Sequence, residues 1–96
     1  MAQYMTIPEV TDAEDLISIS TGGNDHSFNI VINVGDTATR LFEASAKGTL
    51  IPLVVLVTDG PMFALDDVVV SSVSVGDDQG NPLMNLTLDA QEVRIV

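Results

Sequence analysis

The stretch that decides the fold class is VVVSSVSVGDDQGNPLMNLTLDAQEVRIV, residues 68–96. Two runs of alternating apolar and polar residues flank the connection GDDQGN, residues 76–81, and such alternation is typical of strands with one buried face. The apolar positions that share a parity within each run are Val69, Val73, Val75 and Met84, Leu86, Leu88, Ala90. Val93 and Ile95 fall on the opposite parity, which predicts a β-bulge near Gln91. The stretch therefore predicts a β-hairpin.

Four more segments upstream of the hairpin have strand patterns. They are residues 3–7, 16–20, 27–34 and 51–58. The last of these is apolar at both parities, which predicts burial on both sides. The polar residues 9–15 and 21–25 are predicted to be a loop and a turn. Because six strands leave no exposed edge if they close on themselves, we predict a mainly β fold, a small closed or nearly closed β-barrel of about six strands.

One segment, residues 37–47, has helical periodicity. Its apolar and small residues form a single stripe, made of Ala38, Leu41, Phe42, Ser45 and Ala46. Asp36 is a predicted N-cap and Gly48 fits the left-handed position that ends a helix. We therefore predict one short α-helix flanking the barrel, with Leu41 and Phe42 packed against it.

The composition predicts self-association. The chain has 96 residues, which suits one domain spanning residues 1–96. Of these residues, 46% are hydrophobic and only 4% are aromatic, so the apolar mass is aliphatic. A domain of this size has difficulty covering so much aliphatic surface, and large exposed apolar patches mark contact sites.

The charge excludes several partners. Fourteen acidic residues against three Lys and Arg give a formal net charge of −11, which disfavours nucleic acid and anionic membranes. Residues 50–57 form the longest apolar stretch and are too few to span a bilayer as a helix, so no membrane insertion is predicted. No basic segment followed by an apolar one marks a secretory signal, so we expect synthesis and folding in the cytoplasm.

No motif predicts catalysis. Cysteine is absent. Asp25, His26 and Ser27 are the residue types of a hydrolase triad, but adjacency in sequence is not triad geometry. An acid-pair hydrolase, using carboxylates such as Asp66 and Asp77, is the functional hypothesis that the sequence supports least. The sequence therefore predicts no enzyme, no cofactor and no metal site.

Two longer stretches resemble Hcp, the tube protein of type VI secretion systems. They are DTATRLFEASAKGTLIPLVVLV, residues 36–57, and ALDDVVVSSVSVGDDQGNPLMNLTLDAQEVRIV, residues 64–96. The residues that carry the resemblance are Leu41, Phe42, Ala44, Ala46, Gly48, Leu65, Asp67, Val68, Val70, Ser71, Ser72, Leu86 and Leu88. The chain looks like a shortened relative of that family, to whose opening strand YMTIPEVT, residues 4–11, is faintly similar.

The resemblance implies a function that agrees with the composition. It implies six copies in a ring, rings stacked into a tube, a spike protein and secreted effectors as partners, and export through an injection apparatus that needs no signal peptide. The residues expected to support helix packing and the oligomer are Leu41, Phe42, Val68, Val70, Leu86 and Leu88. The alternative hypothesis is a small non-enzymatic module that binds a partner peptide or protein by β-strand addition.

Overall fold

A computed structural model describes residues 3–8, 11–21 and 26–95 of the chain. It contains seven strands and one helix among those residues. In chain order they are β1 (Tyr4–Ile7), β2 (Thr11–Asp15), β3 (Ser18–Thr21), β4 (Ser27–Asn33), α1 (Asp36–Lys47), β5 (Ile51–Val57), β6 (Met62–Asp78) and β7 (Asn81–Ile95). Most of the predicted turn at residues 21–25 lies outside the described residues.

The strands form one antiparallel sheet in the order β2-β1-β5-β6-β7-β4-β3. This sheet is a half-barrel, because its end strands β2 and β3 are not paired with each other. The mainly β class with one helix is confirmed. The small closed or nearly closed barrel of about six strands is corrected in two respects: the sheet has seven strands, and it does not close.

The seventh strand arises where the sequence predicted a loop. Residues 11–15 of that predicted loop form β2, which pairs with β1, while β3 pairs with β4. Leu16 and Ile17 connect them: the Leu16 N–H donates to the Gln3 carbonyl (2.9 Å) and the Ile17 N–H to the Val31 carbonyl (2.8 Å). A single extended stretch thus changes partner at this point, so the end strands β2 and β3 are consecutive in the chain although they do not pair with each other.

The long hairpin of β6 and β7 divides the sheet into two parts. β4 pairs with β7 only from Leu83 to Asp89, and β5 pairs with β6 only from Met62 to Val68. We call the part formed by β3, β4, residues 81–89 and residues 70–78 the four-strand segment. Phe28 of this segment lies 5.3 Å from Phe63 of the other part, ring centre to ring centre, so the two parts face each other across the core.

The core-facing parity changes where these two parts meet. Buried Val68 and Leu65 are three residues apart on β6, and Asp67 between them has a φ of 53°. On β7 the buried Ala90 and the half-buried Val93 have the same spacing, and they pair with Val68 and Leu65. The phase change expected near Gln91 therefore exists, but the pairing there keeps its register, so the predicted bulge is wrong.

The β-bulge lies instead on β6, between Val70 and Ser72. Before it, Val68 and Val70 face the core; after it, Val73 and Val75 do so. One extra residue in a strand reverses the parity that faces the core. The sequence pattern that grouped Val69 with Val73 and Val75 was therefore wrong about Val69.

Burial of β5 differs between its two parities. Val54 and Leu56 are buried at one parity, where Pro52 is exposed. At the other parity Ile51 is buried and the remaining residues are half-buried. The prediction of burial on both sides is therefore confirmed only in part, and some aliphatic surface stays accessible.

Helix α1 contacts β6. Its buried residues are Thr37, Ala38 and Leu41, and its left-handed C-terminal residue is Gly48, as predicted. The N-cap is Gly35, with no side-chain hydrogen bond, so the prediction of Asp36 as the cap is wrong. Phe42, predicted to pack on the sheet, is 51% exposed, because one residue beyond Leu41 turns it about 100° around the helix.

The turn of the long hairpin depends on one glycine. Gln79 and Gly80 both have positive φ, 53° and 87°. We expect Gly80→Ala to lower the free energy of unfolding by about 1–2 kcal/mol, because a Cβ disfavours this conformation. No heavy atom lies within 4 Å of that Cβ, so the cost is conformational. Gly76→Ala on the adjacent strand is the control and should cost less in urea melts; equal losses would contradict the assignment.

Candidate assembly interface

The four-strand segment has two free edges. Beyond Val68, β6 pairs with β7 alone among the described strands, so residues 69–78 leave one side of the strand without a sheet partner. At the other end of the segment, β3 pairs only with β4. Backbone groups on such edges are available to pair with another chain.

The two free edges of the four-strand segment differ in charge from the third free edge of the sheet, which is that of β2. Residues 18–21 of β3 and residues 69–76 of β6 contain no charged side chain, although the whole chain carries 17 charged side chains. The edge strand β2, by contrast, has the sequence TDAED, residues 11–15. Since charged residues protect sheet edges from association, β2 is protected, whereas β3 and β6 are not.

An exposed aliphatic residue stands at each unprotected edge. Val75 on β6 lies opposite Met84, and Met84 lies opposite Ile32, so these three side chains share the core-facing side of the segment. Ile32 and Met84 are buried, but Val75 at the β6 edge is 63% exposed. Next to the β3 edge, the Ile17 N–H donates to the Val31 carbonyl, and Ile17 is 47% exposed. Aliphatic surface is therefore uncovered at both edges.

The opposite side of the four-strand segment is mostly polar, with half-buried Val31 among its residues and exposed Asp89 two positions beyond Thr87 at the same parity of β7. We call its uncharged polar part the polar face; the residues of this face are Ser18, Ser20, Asn29, Ser72, Ser74, Asn85 and Thr87. One row crosses all four strands, because Ser20 pairs with Asn29, Asn29 with Thr87 and Thr87 with Ser72. The Thr87 hydroxyl donates to Asn29 Oδ1 at 2.9 Å. The face forms a shallow concavity of about 310 Å³.

The residues predicted from the sequence lie mostly inside the protomer. Leu41, Val68, Val70, Leu86 and Leu88 are all at most 2% exposed. They therefore hold the helix and sheet together within one chain, and whether they support an oligomer remains a prediction. Phe42 alone of the predicted set is exposed.

Sequence reasoning did not single out Ile17 or give Val75 a place at an edge. Both are ordinary aliphatic residues in strand patterns, and only the pairing of the strands places them at edges. One signal was present: the uncharged runs at residues 16–20 and 68–76 in a strongly acidic chain.

The acidic residues weighed for catalysis are not brought together. The Asp66 carboxylate accepts from Arg94 Nε at 2.8 Å and from a second guanidinium nitrogen at 3.1 Å. This hydrogen bond and the opposite charge of Asp66, with a smaller contribution from Glu92, raise the pKa of Arg94. Asp77 lies eleven residues further along β6, roughly 35 Å away at the usual rise of a strand.

His26 and Ser27, two of the three adjacent residues weighed as a hydrolase triad, make separate contacts. His26 is exposed, and its carbonyl accepts from the Ala90 N–H at 2.8 Å. The buried Ser27 hydroxyl donates to Asp89 on β7. Asp25 lies outside the described residues. Ser27 therefore bonds across the sheet to Asp89.

Comparison with solved structures identifies the fold. The crystal structure of Hcp2 from Salmonella typhimurium superposes with a TM-score of 0.81 and 12% sequence identity, covering 100% of this chain and 93% of that one. A type VI secretion system effector from Yersinia pestis matches with a TM-score of 0.81 and 10% identity, over 95% of this chain and 85% of that one. The chain has the Hcp fold. The resemblance seen in the sequence is thereby confirmed at the level of the fold.

A chain of the anti-feeding prophage baseplate is also similar in structure. It matches with a TM-score of 0.60 and 12% identity, over 99% of this chain and 91% of that one. No protein-family model and no curated protein sequence matches the chain. Within the described part of the chain, no helix has the length and apolar character needed to cross a membrane.

Proposed function

We propose that the chain is a structural subunit that assembles head to tail into a closed ring, with six copies, as part of a type VI secretion or related contractile injection apparatus. The observation that carries the proposal is the pair of uncharged free edges on the four-strand segment. The Hcp fold supports the choice of apparatus. The assembly needs no active site, and we propose no enzymatic activity.

The direction of the strands suits such a ring. Neighbouring strands alternate in direction from β3 through β4 and β7 to β6, because every pairing is antiparallel. A copy rotated about an axis along the strands keeps these directions. The β6 edge of one copy would therefore run antiparallel to the β3 edge of the next, continuing the pattern of the sheet. Such a heterologous contact forms a ring when the rotation closes.

The same pairing covers the exposed aliphatic residues. Val75 is 63% exposed at the β6 edge and Ile17 is 47% exposed next to the β3 edge, so pairing of the two edges would cover aliphatic surface on both copies. Burial of apolar surface contributes about 25 cal/mol per Å². Backbone hydrogen bonds between the edges would add direction to that contact.

The proposal also assigns the two sides of the ring wall. The core-facing side of the four-strand segment is covered by the rest of its own protomer, so that side points away from the ring axis. The polar face then lines the lumen. The lumen would thus be lined mainly by uncharged hydroxyl and amide groups, with Asp89 on the same side of β7 adding one carboxylate per copy. A spike protein and secreted effectors are the proposed partners, and export through the apparatus the proposed route out of the cytoplasm.

The second candidate function is a module that binds a foreign peptide by strand addition. The same β6 edge favours it, since residues 69–76 are uncharged and without a sheet partner. The two functions differ in native mass. A ring gives one closed multiple of the chain, whereas a binding module stays monomeric or dimeric until its peptide is added.

We expect ring assembly to strengthen as salt increases. Six copies gather six times −11, or −66 formal charges, and repulsion among them opposes assembly. The range of that repulsion falls from about 30 Å at 0.01 M salt to about 8 Å at physiological ionic strength. The proposed edges carry no ion pairs that salt would weaken. Sedimentation velocity across a salt series measures the ring fraction; dissociation of the oligomer at higher salt would contradict an uncharged interface.

A further inference from the structure

An apolar groove opens beside the β3 edge. It is lined by Ile19, Ser20, Phe28, Thr58, Pro61 and Phe63 and has a volume of about 270 Å³. The paired rings of Phe28 and Phe63 belong to it, and we call it the aromatic groove. A cavity of about 150 Å³ already accommodates benzene, so the aromatic groove is large enough for a phenyl ring.

The rim of the aromatic groove is ordered by a short turn. The Thr58 hydroxyl donates to the Pro61 carbonyl at 2.7 Å and accepts from the Gly60 N–H at 3.0 Å. Both bonds lie within residues 58–61, so these residues themselves close the turn that carries Pro61 to the edge of the groove. A preformed site binds with a smaller entropic cost than one that must be ordered on binding.

An exposed phenyl ring stands on α1. Phe42 is 51% exposed, and α1 contacts β6, whose residues 69–78 form the second free edge. Large aromatic side chains are enriched at interfaces because each buries about 150–250 Å². Because α1 joins Asn33, level with Gly76, to Ile51, paired with Val68, we assign Phe42 to the side from which edge pairing would extend to the next copy.

Phe42 and the aromatic groove lie at similar levels along the direction of the strands. Helix α1 follows Asn33, which pairs with Leu83, and Leu83 pairs with Gly76, so the helix begins near the level of Gly76 on β6. The helix leads to Ile51, which pairs with Val68. Phe42 is at the middle of the helix, so it lies near the level of Ser72, halfway between those positions. Ser72 shares a row with Ser20, which lines the aromatic groove.

We propose that Phe42 of one copy inserts into the aromatic groove of the next copy of this chain. The inference rests on the proposed ring and names a second contact in it, separate from the paired edges. The occupant of the groove is then a second copy, because its helix is carried to the β3 side by the β6 edge that it contacts. The contact would fix the rotation between neighbouring copies by placing one ring in one groove.

A single tryptophan tests this insertion, since the chain contains none. We expect the emission maximum of Phe42→Trp to shift to shorter wavelength as copies associate across a concentration series. Glu43→Trp, one residue further along the helix, is the control and should keep the emission of an exposed indole. We also expect Phe42→Ala to raise the concentration at half-assembly by about tenfold, from the apolar area it removes from the contact.

Cross-linking supplies an independent test, because the chain contains no cysteine. The double variant Phe42→Cys with Pro61→Cys, at the exposed rim of the groove, should give a ladder ending at the closed ring with a short thiol-reactive linker, whereas Glu43→Cys with Pro61→Cys should not. If wild-type rings form but neither the emission shift nor the selective ladder appears, the insertion is wrong and the ring stands. If wild-type protein stays monomeric in the same series, the proposed ring itself is wrong.

Discussion

Val75→Asp is expected to convert the ring into monomers while leaving the protomer folded. Val75 is 63% exposed, so its replacement removes little of the core. In the ring the new carboxylate would lie in the contact between the β6 edge and the β3 edge of the neighbour, and residues 69–76 and 18–21 of these edges contain no cation. Burial of an unpaired charge or polar group costs several kcal/mol, and about 1.4 kcal/mol changes an equilibrium constant tenfold. The ring fraction should therefore fall at least about a hundredfold in sedimentation experiments.

Leu50→Asp is the matched control for this variant. Leu50 is 51% exposed between α1 and β5, and it belongs neither to the free edges of the four-strand segment nor to the aromatic groove. Both variants have the same net charge, so general repulsion affects them equally. Circular dichroism should be unchanged for both. Rings that persist in Val75→Asp, or that are lost equally in Leu50→Asp, would contradict pairing through the β6 edge.

The second large effect concerns the helix. We expect Leu41→Ala to lower the free energy of unfolding by about 2–5 kcal/mol, the range for a buried leucine, because Leu41 is only 1% exposed. Phe42→Ala should cost less than about 1 kcal/mol, since a half-exposed ring loses little when truncated. Urea melts in the Val75→Asp background separate protomer stability from assembly. A larger loss for Phe42→Ala than for Leu41→Ala would contradict the orientation of α1.

Local patterns were sufficient for the parts of the fold that have one period and one partner. The alternation of Phe28, Ile30 and Ile32 predicted β4, and all three are buried. The end of α1 followed from Gly48, whose positive φ a glycine adopts at little cost. Such elements are predictable because the residue pattern and the burial follow the same spacing.

The remaining elements depend on tertiary pairing. The sequence TDAED of β2 has no strand periodicity, and it is extended because it pairs with β1. Val69 and Val73 share a parity in the sequence, but the bulge after Val70 separates them in the sheet. In these places the partner strand, and not the local residue pattern, determines the conformation.

The candidate interface was predictable only as a class. The excess of aliphatic residues indicated self-association, but it could not say where. An edge exists because β5 leaves β6 at Val68 while β6 continues to Asp78, and no local pattern encodes that difference in length. Phe42 shows the same limit: the predicted stripe is wider than the contact, and two of its five members, Phe42 and Ala46, are exposed.

Native mass spectrometry of the wild-type chain tests the central claim most directly. The spectrum should be measured at moderate ionic strength and micromolar concentration, where repulsion among the acidic protomers is screened. The account predicts one dominant species with six times the mass of the 96-residue chain, and negative-stain images showing a ring with a central opening. A spectrum containing only monomer and dimer at all concentrations would contradict assembly through the two uncharged edges.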